Sequence, residues 1–291
     1  MTTLMLLLAH LIADFWLQSD QMVKHKIKYL KKHIFHHLLT TGIALIIIWG
    51  YQYAFQHIMS YLILPLVFIM ITHLLIDLVK IKFIDSLPKS PTDNMKKLGY
   101  FLADQALHVM MILTACMLFF HMTTAEMAAS LLNLNNGTNR LSLSNTALFI
   151  ILIYILATSV SGHIVKFIIG SLPSEFANFE GELTLKNQIA AGKEQIRPEM
   201  DKHFTEEYHY FTYSAPLRSR GKLIGYLERL LVILLTAVGA YPSIAFIIAA
   251  KSIARFKQLD DRNWAEYFLL GTLSSIFLGL VLGLIVQGVL T

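Results

Sequence analysis

The sequence has little cysteine, little charge and no strand-like alternation. Cys116 is the only cysteine among 291 residues and lies in an apolar run, which excludes an intrachain disulfide and a CxxC metal site. Charged residues make up 15% of the chain, whereas about a quarter is usual in soluble domains. The alternating ten-residue pattern of membrane β-strands is also missing. No motif of a DNA- or RNA-binding module occurs, so nucleic acid is not an expected partner.

Long hydrophobic runs are what the chain has instead. Hydrophobic residues account for 55% of it, and the mean hydropathy is +0.57. A helix needs roughly 20 apolar residues to cross the hydrocarbon core of a bilayer. We therefore predict an all-α integral membrane protein, a polytopic bundle of seven or eight segments. The predicted segments are 2–18, 34–56, 60–81, 100–121, 146–170, 223–239, 242–256 and 266–289.

The lysines predict how the segments are oriented. The first segment has no basic n-region and no evident cleavage site, so it is not a secretory signal. Lysines cluster in 19–33 and 80–99, whereas 57–59 and 122–145 contain only Arg140 as a basic residue. The positive-inside rule therefore predicts cytosolic Lys-rich loops and an N-terminus on the outside.

The C-terminal half is predicted to contain a hairpin. One span over 223–256 would carry Lys251 and Arg255 to the outer face, but "GAYPS" at 239–243 breaks the helix. Residues 171–222 are the sizeable polar region, expected as a cytosolic amphipathic segment on the membrane surface. The predicted divisions of the chain are a His/Asp domain at 1–122, an outer loop and fifth helix at 123–170, the polar segment at 171–222 and a C-terminal hairpin with the last helix at 223–291.

Histidine and aspartate recur four residues apart inside the predicted spans, which places each pair on one helix face. The order is His then Asp on the two inward-running helices and Asp then His on the outward-running one. All three pairs therefore present Asp nearer the cytosol, and His37 begins the second helix at the same level. The predicted metal ligands are His10, Asp14, His37, His73, Asp77, Asp104 and His108.

These residue types indicate a divalent metal near the cytosolic side. Imidazole and carboxylate ligands without thiolates suit zinc, and also manganese or iron. The predicted ligands are too many for one tetrahedral ion but sufficient for two, and paired metals are typical of phosphoester hydrolysis. A single His–Asp pair would rather indicate a buried pair or a proton relay. His33 and His36 are expected at the membrane interface.

Further polar residues are expected around the ligands. Gln18 and Gln105 are candidates for hydrogen bonds to the ligands or the substrate, and His163 lies at the same depth without a carboxylate at i+4. A second polar group comprises Glu228, Arg229, Lys251 and Arg255. Its members either extend to the interface from helix ends or, as arginines, grip an anionic headgroup.

At "HLIADFWLQ", "THLLIDLVK" and "FLADQALH" the sequence resembles the bacterial membrane family named domain of unknown function 3307, over residues 4 to about 120. "GKLIGYLERLL" and "AAKSIARFKQLDDRNWAEYFLLGTLSS" resemble blocks that follow this domain in longer members. The resemblance implies a bacterial inner-membrane protein and no particular activity.

Two more distant similarities suggest hydrolysis. "HLLID" is similar to a motif of membrane-bound metal-dependent hydrolases. "HLIADFWLQ" resembles the His-x-x-Gly-Asp-x-x-x-Pro stretch of zinc phospholipases and nucleases, although Ala13 replaces the glycine. The expected function is a metal-dependent hydrolase acting on a phosphoester or lipid headgroup at the cytosolic leaflet, with membrane lipids as partners. A proton- or divalent-cation-coupled transporter and a non-catalytic scaffold or sensor stay open as alternatives.

Overall fold

The computed structural model describes residues 1–86, 94–127, 143–170, 218–256, 259–260 and 262–290. These residues are helical almost throughout, and no strand occurs among them. The α-helices are α1 (Thr2–Leu11), α2 (Asp20–Lys24), α3 (Lys26–Tyr53), α4 (Leu64–Ser86), α5 (Asn94–Phe120), α6 (Leu143–Ile155), α7 (Ser161–Ile169), α8 (Arg218–Ala237), α9 (Tyr241–Ala254) and α10 (Arg262–Leu290). Wide π-helical turns follow α1 at Ile12–Trp16, precede α4 at Met59–Ile63 and join α6 to α7 at Leu156–Val160.

The helices fit a membrane protein by length and composition. Five are long and apolar enough to span a bilayer, and two shorter apolar helices cover Thr2–Trp16 and Tyr241–Ala254. The five are Lys26–Tyr53, Met59–Phe83, Asn94–Phe120, Leu143–Ile169 and Arg262–Val289. The all-α membrane class is supported, while the number of seven or eight segments and their orientation stay predictions.

Helices α1, α3, α4 and α5 form a ring around the His and Asp residues of the N-terminal half. Helix α1 packs against α3 and α5, and α4 joins α3 to α5 on the other side. Helix α1 also contacts α6, so it is surrounded by other helices. The interior on the N-terminal side of α1 is apolar, with Leu4, Leu45, Ile48 and Ile112 almost fully buried. This apolar packing fixes the four helices and leaves the opposite end of the bundle for polar residues.

The C-terminal part forms the predicted hairpin. Helix α8 ends at Ala237, Gly239 adopts a φ of 72°, and α9 begins at Tyr241 with Pro242 in its first turn. Lys251 Nζ donates to Glu228 Oε2 at 2.8 Å, and this contact across the hairpin requires α8 and α9 to run antiparallel. Helix α10 then packs along α8 and α7. The predicted surface helix before this hairpin falls on residues 171–217, which lie outside the described residues.

Candidate metal centre

Asp14 lies on the wide turn that ends the first helical segment. There the Leu17 N–H donates to the Ile12 carbonyl at 3.0 Å, five residues back instead of four. Such an inserted residue re-aims side chains, and π-turns are frequent at functional sites. The Asp14 carboxylate accepts a 3.0 Å hydrogen bond from Gln105 and lies 2.9 Å from His37 Nε2. It is therefore held between α3 and α5.

Three ligand-type atoms form a nearly equilateral triangle, here called the ligand triangle: His33 Nε2, His73 Nε2 and Asp77 Oδ2. The sides measure 3.4 Å from His33 to His73, 3.3 Å from His33 to Asp77 and 3.5 Å from His73 to Asp77. Ligands at about 2.0–2.1 Å around a tetrahedral zinc ion lie roughly 3.3–3.4 Å apart. The triangle therefore has the size of one face of such a coordination sphere.

Asp14 is a further ligand-type residue next to the triangle. Asp14 Oδ1 lies 3.4 Å from His33 Nε2, close to the same tetrahedral spacing. Two ligand-type groups, each with its atoms within 4.8 Å of one another, consist of Asp14, His33, His37 and His73 and of His73, Asp77 and His108. Since His73 belongs to both groups, the two possible ion positions are adjacent.

Several buried nitrogens in this cluster lack a hydrogen bond. His10 Nε2, His73 Nδ1 and His108 Nε2 are buried and have no partner among the described residues. The Nδ1 of His108 is engaged by the Asp104 carbonyl at 2.9 Å, which fixes the ring and turns Nε2 toward the cluster. The ring centres of His10 and His108 are 5.0 Å apart, and those of His73 and His108 are 4.4 Å apart.

These unpaired nitrogens test whether a metal fits. A buried polar atom without a partner costs about 1–3 kcal/mol, so several in one cluster are unfavourable unless a ligand satisfies them. Lone pairs on neutral imidazoles bind zinc, manganese or iron. The donor set, the tetrahedral spacing and the unpaired nitrogens all fit a divalent ion, although its identity and number stay predictions.

Six of the seven predicted ligands meet in this cluster, namely His10, Asp14, His37, His73, Asp77 and His108. Asp104 is directed differently. Its carboxylate pairs with Lys80 and belongs to neither ligand group. Its Oδ1 lies 3.8 Å from His108 Nδ1. Asp104 therefore lies beside the cluster, where it holds the Lys80 ammonium group and, through its backbone carbonyl, the His108 ring.

The expectation that His33 lies at the interface is wrong, because it is 6% exposed and contributes to the ligand triangle. The helix begins at Lys26 rather than at residue 34, so His33 is two turns inside α3. It precedes His37 by four residues, and both therefore lie on the inward face. The spacing that revealed the other pairs would also have identified this one.

The remaining polar residues are distributed around the cluster. A narrow cleft with space for about one water molecule is lined by Gln18, Lys26, Tyr29, His33 and Asp77 and borders the ligand triangle. A small cavity on another side of the cluster, with space for about one water molecule, is lined by Leu6, His10, His37, Thr41, Ile69 and His73. Gln18 is thus at the cleft, and Gln105 is at Asp14.

His163 lies away from the ligands. It is exposed, its Nδ1 donates to the Ser159 carbonyl at 2.8 Å, and its ring contacts Phe15 and Phe101. The shared depth along the membrane therefore did not bring His163 to the cluster, because its side chain points toward α1 and α5 on their outer side.

Arg229 is buried in the C-terminal part and binds the backbone of another wide turn. Its Nε donates to the Ala157 carbonyl at 2.5 Å, and its terminal nitrogens donate to the Thr158 carbonyl at 3.4 Å and to Ser275 Oγ at 3.2 Å. All three guanidinium nitrogens are thus engaged by protein groups. This arrangement favours a structural role over the grip on a headgroup that the sequence suggested.

The neighbours of Arg229 are also paired. Glu228 and Lys251 form an ion pair. The Arg255 guanidinium lies 5.5 Å from the centre of the Trp264 ring and 5.9 Å from that of Phe268. These contacts join α8, α9 and α10 at one level.

Residues 2–136 match the model of a family described as "Protein of unknown function (DUF3307)". This match confirms the resemblance carried by the three N-terminal blocks, and it includes every residue of the ligand triangle. No curated protein and no solved structure matches the chain.

Proposed function

We propose that this protein is a membrane-embedded, metal-dependent hydrolase that acts on a phosphoester, such as a lipid headgroup, at the cytosolic leaflet. The observation that carries the proposal is the ligand triangle of His33, His73 and Asp77, which borders a cleft. A catalytic ion keeps a position open to water or substrate, and the cleft is the space from which this position would be reached.

The side chains of two helices would hold the first ion. His33 comes from α3, and His73 and Asp77 come from consecutive turns of α4, so helix packing sets their spacing. Asp14 is the neighbouring oxygen, and its hydrogen bond from Gln105 fixes the carboxylate orientation. A divalent ion bound here would act as a Lewis acid toward a phosphoester and would lower the pKa of water.

A second ion would use the unpaired imidazoles. His10 and His108 offer Nε2 atoms within the ring of four helices. Neighbouring ions favour hydrolysis of phosphoesters because each stabilises a different oxygen of the reacting group. The apolar packing around Leu45 and Ile112 keeps bulk water from the far side of the cluster.

Hydrolysis by purified full-length protein tests this proposal. We expect activity on bis(p-nitrophenyl) phosphate or a phospholipid that stops after treatment with a chelator and returns with Zn²⁺ or Mn²⁺. Asp77→Ala should abolish it, and His163→Ala should leave it unchanged because His163 is exposed and outside the cluster. Activity that is equal in the chelated protein or in Asp77→Ala would contradict the proposal.

Transport of a cation is the second candidate, because the cluster has spaces on two sides. The space beyond His10 and His37 is bordered by Leu6, Ile69 and Met111, and Thr41 is the polar residue that lines it beside the histidines. The mainly apolar lining on this side supports an enzyme over a channel. Metal-dependent flux into proteoliposomes that disappears in Asp14→Ala would reverse this preference.

A further inference from the structure

We propose that Lys26 is the central cation of a phosphate-binding site at the cleft beside the ligand triangle, with Lys80 as a second cation nearby. This inference rests on the proposed function, since it names the residues that would bind the anionic part of the substrate. The ligand class is a phosphate group, whether free or attached to a lipid.

The position of Lys26 is the first support. Lys26 is the first residue of α3, is half-buried, and lines the same cleft as Tyr29, His33 and Asp77. Lysine near the surface normally extends into water. This one instead lies beside two atoms of the ligand triangle, and it forms no salt bridge with a carboxylate among the described residues.

Lys80 provides the second cation. It follows Asp77 by three residues on α4, so the two side chains share a helix face, and its ammonium group pairs with Asp104. Lys26 and Lys80 are close enough to interact with each other and with Asp77 and Asp104. The Asp104 carboxylate already offsets the charge of Lys80, whereas Lys26 forms no salt bridge of this kind among the described residues.

The net charge of the cluster and its two lysines indicates that an anion binds only after the metal. The carboxylates of Asp14, Asp77 and Asp104 together with the two ammonium groups leave one net negative charge if the histidines are neutral. One divalent ion changes this balance to one net positive charge. A phosphate group is then favoured, whereas before metal binding it is repelled. The anion site is therefore expected to form only with the metal.

Other basic residues fit this role less well. Arg229 uses its three nitrogens for protein groups. Lys28 and Lys31 lie on the same helix as Lys26 but are exposed. Phosphate binds well to lysine ammonium groups that are partly withdrawn from water and hydrogen-bonded directly. Lys26 differs from these residues because it is half-buried and lines the cleft together with His33 and Asp77.

Calorimetric titration of the detergent-solubilised full chain tests the inference. Metal content is first measured by elemental analysis, and Zn²⁺-loaded protein is then titrated with inorganic phosphate and, separately, with dihexanoyl phosphatidic acid. We expect binding that weakens at least about tenfold in Lys26→Met, consistent with the loss of one charged hydrogen bond. Lys26→Arg should retain most of it, and Lys31→Met is the matched control on the same helix.

The results separate this inference from the proposed function. Absence of retained metal in the wild-type protein would contradict the proposed function. Normal metal content with equal phosphate binding in Lys26→Met and Lys31→Met would overturn the phosphate site alone, as would equal binding without metal. Binding of both probes supports a site for the phosphate group itself, and binding of phosphatidic acid alone supports a lipid source.

Discussion

The two buried polar clusters of this protein differ in how well their own residues satisfy them. In the C-terminal part, Arg229 donates to two backbone carbonyls and one hydroxyl, and Glu228 is paired with Lys251. In the N-terminal ring, one nitrogen each of His10, His73 and His108 has no hydrogen bond among the described residues. Both clusters lie on buried helix faces, and these unpaired imidazole nitrogens lie in the second.

This difference distinguishes buried polar residues that stabilise helix packing from buried polar residues that can bind a ligand. A buried cation whose donors all bind the protein stabilises helix packing and has little capacity for a further ligand. A cluster in which unpaired imidazole nitrogens lie beside a triangle of ligand-type atoms has unused capacity for a ligand. The comparison therefore supports metal binding in the N-terminal ring and a structural role at Arg229.

The largest expected effect is loss of metal from the ligand triangle. In His73→Ala or Asp77→Ala one ligand is missing, and the affinity for Zn²⁺ should fall at least about 100-fold, since even residues around a metal ligand matter up to that extent. Elemental analysis after dialysis measures this. Thr41→Val, beside the cluster but not a ligand, should retain metal. Full metal content in both alanine variants would contradict metal binding by the ligand triangle and remove the difference between the two clusters.

The second effect is on stability and concerns Arg229. In Arg229→Met two backbone carbonyls of the wide turn Leu156–Val160 lose their donors, which should lower the free energy of unfolding by about 2–4 kcal/mol. Thermal denaturation in detergent measures the change, and Arg262→Met is an exposed control. Metal content of the folded fraction should not change. If Arg229→Met kept the melting temperature of the wild-type protein but bound less metal, Arg229 would contribute to metal binding rather than to stability.

A smaller effect is expected at Gln105. Its side-chain amide orients Asp14, so Gln105→Leu should weaken Zn²⁺ binding about tenfold without abolishing it. Competition with a chromophoric chelator gives the affinity, and Gln21→Leu on the exposed surface is the matched control. Equal affinities for the two variants would mean that Asp14 needs no such support.

The smallest effect concerns Lys251. Its ion pair with Glu228 is partly exposed, so Lys251→Met should change the free energy of unfolding by less than about 1 kcal/mol. The same melting experiment measures it beside Arg229→Met. A loss as large as that of the Arg229 variant would show that the whole C-terminal cluster acts as one unit.

The N-terminal cluster was largely predictable because helix periodicity and membrane composition act together. His10, Asp14, His73 and Asp77 are polar residues four apart in apolar segments, and short connections make their helices neighbours. His33 was missed because helix starts are poorly marked in a sequence that stays polar up to residue 33. Its burial depended on α3 beginning eight residues before the predicted start at residue 34.

Helix faces and membrane class follow from the sequence alone, since hydropathy and the i, i+4 spacing are local properties. Which side chains contact one another is not a local property of the sequence. Asp104 faces Lys80 rather than the imidazoles, and His163 packs against Phe15 outside the cluster. Both were predicted at the same depth as the ligands, but the rotation of each helix about its axis decides where a side chain points. Only tertiary packing fixes that rotation, and it thereby determined which histidines and aspartates form the ligand triangle.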